Sequence, residues 1–185
     1  MESLYRPGSP RTNPSLARNF QALLLTLLFL AISKGCSGQD DQREFERQAL
    51  QPPDGFTQTD GNGSVVNGLE DPDDWRTSPF YAGYIEFDPA WPNPALTTDA
   101  ITIRFRVVTT DADLQLLRAE VYHPRDNRLA ELDRIESPPG FGEAQFRFSP
   151  ASLTRAGEQI PDGLYRIIIT EERGNIVTYG DVKIE

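Results

Sequence analysis

From Trp91 to the C-terminus, apolar and polar positions alternate in short segments separated by turn-forming residues. Ile101, Ile103, Phe105 and Val107 alternate with Thr102, Arg104 and Arg106. Successive side chains of a strand point to opposite faces, so one set is sent to a core and the other to water. The same period returns in Leu117, Ala119 and Val121, and again in Ala144, Phe146 and Phe148. Tyr165, Ile167 and Ile169 lead to Glu171-Glu-Arg-Gly-Asn175, a hairpin connection in which Gly and Asn adopt positive φ at low cost, and the chain returns from Ile176 to Ile184. Upstream, Phe80, Tyr81, Tyr84, Ile85 and Phe87 predict one more strand with Ile85 and Phe87 inward. No helix-length amphipathic segment is available for crossovers, so the pattern predicts an all-β, antiparallel sandwich rather than a parallel sheet.

Several of these segments carry a family resemblance. Trp91-Pro-Asn-Pro-Ala95, Thr98 and Ile101-Thr-Ile-Arg-Phe105 resemble the opening of the C-terminal sorting domains of the bacterial type IX secretion system and of the related immunoglobulin-like domain of the flagellar hook-capping protein. Ala119-Glu-Val-Tyr122 with the polar turn Arg128-Leu-Ala-Glu-Leu132, then Gly142 to Phe148 and Gly163-Leu-Tyr-Arg-Ile167, are similar to the family's later strands in the same order. The resemblance covers about half the chain and implies a small immunoglobulin-like β-sandwich over residues 91–185. His123-Pro124 and the closing Asp181-Val-Lys-Ile-Glu185 depart from the family's acidic turn and lysine-rich last strand.

The front of the chain has a different character. Residues 20–32 form an apolar run preceded by Arg6, Arg11 and Arg18 and followed by small residues, the three parts of a secretory signal peptide. The run is short of the roughly 20 residues that cross a bilayer as a helix. Cys36 is the only cysteine and follows Ser33-Lys-Gly35 directly. It resembles the modified cysteine of a bacterial lipoprotein, whose thiol receives a diacylglycerol, and a lone cysteine has no internal disulfide partner. Ser37 and Asp40-Asp41 resemble the start of outer-membrane or surface-directed lipoproteins. The expected division is a signal peptide over 1–35, a flexible acidic tether over 36–53, a hairpin and connecting segment over 54–90, and the sandwich over 91–185.

Within the middle segment, Phe56 to Val66 reads as a hairpin around Asp60-Gly-Asn-Gly-Ser64. Asp60, Asn62 and Ser64 alternate like the first ligands of a calcium loop, but the twelfth position is Asp71 and not glutamate. Glu70-Asp-Pro-Asp-Asp74-Trp75 admits an acidic metal cluster or a helix start capped by Asp71 or Asp73 with Trp75 inward, and the second is preferred. No metal site is assigned.

Net charge is −10; residues 1–35 hold four basic and one acidic side chains, so the remainder carries 14 basic against 27 acidic, or −13. Such a surface repels phosphate backbones, which excludes nucleic acid as the expected partner. His123 is the single histidine, which leaves little for histidine zinc sites or a Ser-His-Asp arrangement. Asp60-Gly-Asn-Gly lacks the lysine and the strand–helix context of a phosphate loop. Trp75, Phe80, Tyr81, Tyr84, Trp91 and Phe141 admit either a stacking platform or ordinary core packing. No catalytic or cofactor-binding residue and no small-molecule substrate is assigned; Cys36 as the point of lipidation is the one site residue. The expectation is a lipid-anchored, non-catalytic cell-envelope protein, at the outer membrane and held by Cys36, that binds or scaffolds an envelope protein partner. The alternative is a small secreted protein whose C-terminal domain is a type IX sorting signal.

Overall fold

The computed structural model describes residues 37–111, 114–125, 127–154 and 159–185. The expected signal peptide and Cys36 lie outside the described residues. The elements are α1 (Ser37–Ala49), β1 (Ile85–Phe87), β2 (Ile101–Val107), β3 (Leu116–His123), β4 (Arg128–Glu136), β5 (Gly142–Phe148), a 3-10 turn (Pro150–Leu153), β6 (Gly163–Glu171) and β7 (Ile176–Ile184). The strands form two antiparallel sheets, ordered β1-β2-β5 and β4-β3-β6-β7, an immunoglobulin-like sandwich. The inward set of β2 (Ile101, Ile103, Phe105, Val107) meets Leu117, Val121, Ile167, Ile169 and Val182 of the other sheet in a dry core. Phe105 sits between Phe87 and Phe146 with ring centroids 5.6 Å from each.

Several segments differ from the pattern-based expectation. Arg128 to Leu132, expected as a polar turn, opens β4, a nine-residue strand at the rim of its sheet. Charged side chains on such a rim discourage pairing with other chains, and they also erase the alternation that marks a strand. The second difference is larger. Residues 37–49 are helical and not a flexible tether. Phe45 and Ala49 pack on Ile168, Ile176, Tyr179 and Tyr122, on the face of the four-stranded sheet away from the main core. A helix of this length is marginal alone; docking stabilises it. Gln42, 2% exposed, donates from Nε2 to Ile176 O (3.1 Å) and accepts from Phe80 N–H through Oε1 (3.2 Å). With α1 in place, β6 and β7 are buried on both faces.

Nor is 54–90 a separate connector. Trp75 N–H donates to Tyr179 O (2.7 Å) and Ser78 N–H to Val177 O (2.8 Å), so this segment lies along the open side of β7. Farther along the same side, Ala95 N–H donates to Lys183 O (2.8 Å) and Glu185 N–H to Ala95 O (3.0 Å). Both stretches cover an edge that would otherwise present unpaired backbone groups. The Glu70–Trp75 stretch is a turn, not a helix start: Trp75 has φ 59, and its indole points inward, 3% exposed. Thr59 bridges both Val65 and Asn93, and the Asp60 carboxylate accepts from the Asn62 and Ser64 amides (2.8 and 2.9 Å), which closes the hairpin turn. Gln39–Glu185 therefore form one folded unit, wider than the 91–185 sandwich expected.

Candidate functional site

The seam between α1, the covering loops and β7 concentrates the buried polar groups. Asn93, fully buried, donates from Nδ2 to Thr57 O (3.0 Å) and Asp181 O (2.9 Å), and its Oδ1 accepts from Lys183 N–H (2.9 Å). Asp74 accepts from Thr57 N–H (2.6 Å) and Asp181 N–H (2.8 Å). Burial pushes the Asp74 carboxyl up to about 7, against the amides that favour its charged form. Arg166 grips Asp181 with two bonds, Nε to Oδ1 (2.6 Å) and Nη2 to Oδ2 (2.7 Å). Its Nη1 donates to Gln48 O (3.1 Å), in the last turn of α1, and to Gln51 O (3.3 Å), two residues past the helix; Gln48 O also accepts from Gln51 N–H (3.0 Å). The guanidinium also lies 4.8 Å from the centre of the Tyr179 ring. These groups are satisfied by one another, which makes the seam a structural lock.

Beside the lock opens a cleft of about 580 Å³, within the range of small-ligand pockets. Its walls are the β3–β4 turn, the residues after the 3-10 turn, and the entry to β6. The turn is shaped by Asn127 at φ 46, whose Oδ1 accepts from the Tyr122 hydroxyl (3.0 Å). Across the cleft the Tyr165 hydroxyl donates to Pro161 O (2.8 Å) and fixes the approach to β6. His123 and Arg128 are register partners at the last pair of β3 and β4 and line the cleft with Arg125. Among the described residues neither Arg125 nor Arg128 has an ion-pair partner. The Thr154 hydroxyl, also in the lining, is buried with no hydrogen-bond partner among them. Asp162 also lines the cleft. Guanidinium forks lining a cleft suit a planar anion such as a carboxylate.

Of the residues singled out from sequence, Cys36 lies outside the described residues. His123 closes β3 and faces the cleft. The aromatic set divides: Trp75 belongs to the core, Trp91 is half-buried with Arg104 5.6 Å from its ring centre, and Phe80, Tyr84 and Phe141 are exposed. Arg125, Arg128 and Tyr165 carried no sequence signal as a group, because only the pairing of β3 with β4 and β6 brings them together. Among the described residues, no helix is long and apolar enough to cross a membrane.

No family model matches the chain, and no curated protein matches it. Solved structures give weak likenesses. One is a β-glucosidase from Listeria innocua in complex with isofagomine (TM-score 0.38, 9% identity, covering 54% of this chain and 16% of that one). Another is a Pseudomonas fluorescens alkylpurine DNA glycosylase bound to DNA containing an abasic site analog (TM-score 0.34, 10% identity, 55% and 30%). A third is a β-D-glucoside glucohydrolase from Trichoderma reesei (TM-score 0.35, 10% identity, 70% and 25%). The chain spans less than a third of the length of each.

Proposed function

We propose that this protein is a lipid-anchored component of a bacterial cell envelope whose β-sandwich binds a partner without catalysing a reaction. The observation that carries the reading is the join between two parts of the chain. A basic flank, a short apolar run and the single Cys36 end at the residue before α1, and α1 is built into the sandwich. Acyl chains on Cys36, at about 0.8 kcal/mol per buried methylene, suffice for stable anchoring. The cleft between Arg125, Arg128 and Tyr165 is the binding site of this reading, and it fits an acidic group of the partner. In the alternative, a type IX sorting signal, residues 37–79 would be the cargo. Phe45 and Trp75 are buried in the same folded unit as the strands, which favours a single module over cargo plus address.

The test has two arms. Intact mass of the membrane-extracted protein should exceed the cleaved polypeptide by a diacylglycerol and fall back in Cys36→Ala; a wild-type product of polypeptide mass ends the anchor reading. Affinity capture from intact cells should retain a protein that Arg125→Ser/Arg128→Ser loses. Equal capture by both removes the cleft from the account.

A further inference from the structure

The exposed aromatic side chains of the described residues gather at one end of the sandwich. Phe80, Tyr84 and Phe141 are 44%, 41% and 66% exposed. Tyr84 O accepts from Val108 N–H (3.0 Å), and Gly142 is the register partner of Val107, so Tyr84 and Phe141 flank the same strand end. Phe80 N–H is bound by Gln42 of α1. The exposed aliphatic Leu96 sits at the opposite end, beside Ala95, which pairs with Ile184. Gln42 is five residues from the start of α1, about 7.5 Å along a helix axis. Gln39, the first residue of the folded unit, is thus at the aromatic end, and Cys36 stands three residues before it in the sequence.

We propose that Phe80, Tyr84 and Phe141 form a membrane-contact surface, seated in the headgroup region of the bilayer that holds the Cys36 acyl chains. The inference rests on the lipid-anchor reading. The folded unit opens at Gln39, three residues after the acylated one, each spanning at most about 3.6 Å. The aromatic end is then held against the bilayer instead of reaching it by chance. Rings with an apolar body and, in tyrosine, a polar tip concentrate at membrane–water interfaces. Near the start of α1, Asp40 is paired with Arg43 (3.6 Å) beside Asp41; this leaves no excess of basic groups, which suits a zwitterionic surface over an anionic one.

The experiment uses the full-length, membrane-extracted protein in phosphatidylcholine–phosphatidylethanolamine vesicles. A single thiol-reactive fluorophore is placed in Phe80→Cys, Tyr84→Cys or, as the distant control, Leu96→Cys. Brominated lipid should quench the first two labels and shift their emission to the blue, and leave the third unchanged. Phe80→Asp/Phe141→Asp, both exposed and therefore compatible with folding, should abolish the quenching at residue 84. An acylated protein whose labels at 80 and 84 are quenched no more than that at 96 overturns the contact surface and leaves the anchor standing. A protein of unacylated mass overturns both.

Discussion

The indole of Trp75 fills the space that a side chain at residue 180 would occupy: a Cβ on Gly180 would lie 2.5 Å from Trp75 Cδ2 and closer still to Cε2, far inside contact distance. Trp75 reaches this position with φ 59, a conformation uncommon for a bulky residue, and its amide is tied to Tyr179 O. The contact joins the middle segment to β7, and it requires glycine in a strand where glycine is otherwise unfavourable.

Gly180→Ala should therefore destabilise the protein by about 1–3 kcal/mol through overpacking, read as a lower urea midpoint. Trp75→Phe should recover part of that loss, since it makes room and removes an indole N–H that is buried without a partner among the described residues. Additive losses in the double variant would mean that the two residues do not share this space.

Removing the Arg166 guanidinium leaves Asp181, 1% exposed, without its bidentate partner. Arg166→Met should cost about 3–5 kcal/mol, and Arg166→Met/Asp181→Leu should restore much of it. Both variants lose the bonds to Gln48 O and Gln51 O, so amide exchange near the end of α1 should quicken in both. Unchanged exchange there would show that the arginine does not hold the helix.

Phe45→Ala tests whether the helix is a working part of the fold. Phe45 is 4% exposed, with its ring centre 5.1 Å from that of Tyr179 and the Arg76 guanidinium 5.2 Å away. Its truncation should cost about 3 kcal/mol and expose Ile168 to solvent, seen as added binding of a hydrophobic dye. A silent substitution would return residues 37–49 to the status of a tether.

Asp74 gives stability a pH dependence of definite sign. Its carboxyl is raised by burial to about 7 when folded, against about 3.9 in an unfolded chain. Between these values the native state binds the proton more tightly, so stability falls as pH rises, by at most about 1.4 kcal/mol per pH unit, and levels off above pH 7. Asp74→Asn should flatten the urea midpoint between pH 5 and pH 8. Asp181, raised in the same direction by burial, leaves a residual slope. A midpoint that falls equally steeply in wild type and variant would place the titrating group elsewhere.

The two-residue alternation of β2, β3 and β5 was enough to name the strands and the inward side chains, because a strand with one wet face writes its burial directly into its residue types. Ile85 and Phe87 were legible for the same reason. β4 was not, since a rim strand carries charge on both faces, and a polar run reads as a turn. The helix 37–49 was hidden too: two apolar anchors four residues apart do not distinguish a docked helix from a solvated one. The matching clue lay elsewhere, in the unbroken Ile167-Ile168-Ile169, where a strand apolar on both faces needs a second cover.

What the amino-acid order alone determined was local: which segments extend, where they turn, and that an apolar run ends at one cysteine. The tertiary structure decided which distant groups meet. Arg166 with Asp181 and the end of α1, Trp75 with Gly180, and Arg125, Arg128 and Tyr165 around one cleft are juxtapositions of segments that only sheet pairing brings together. No spacing along the chain encodes them, because each depends on strand order and register, properties of the assembled sandwich.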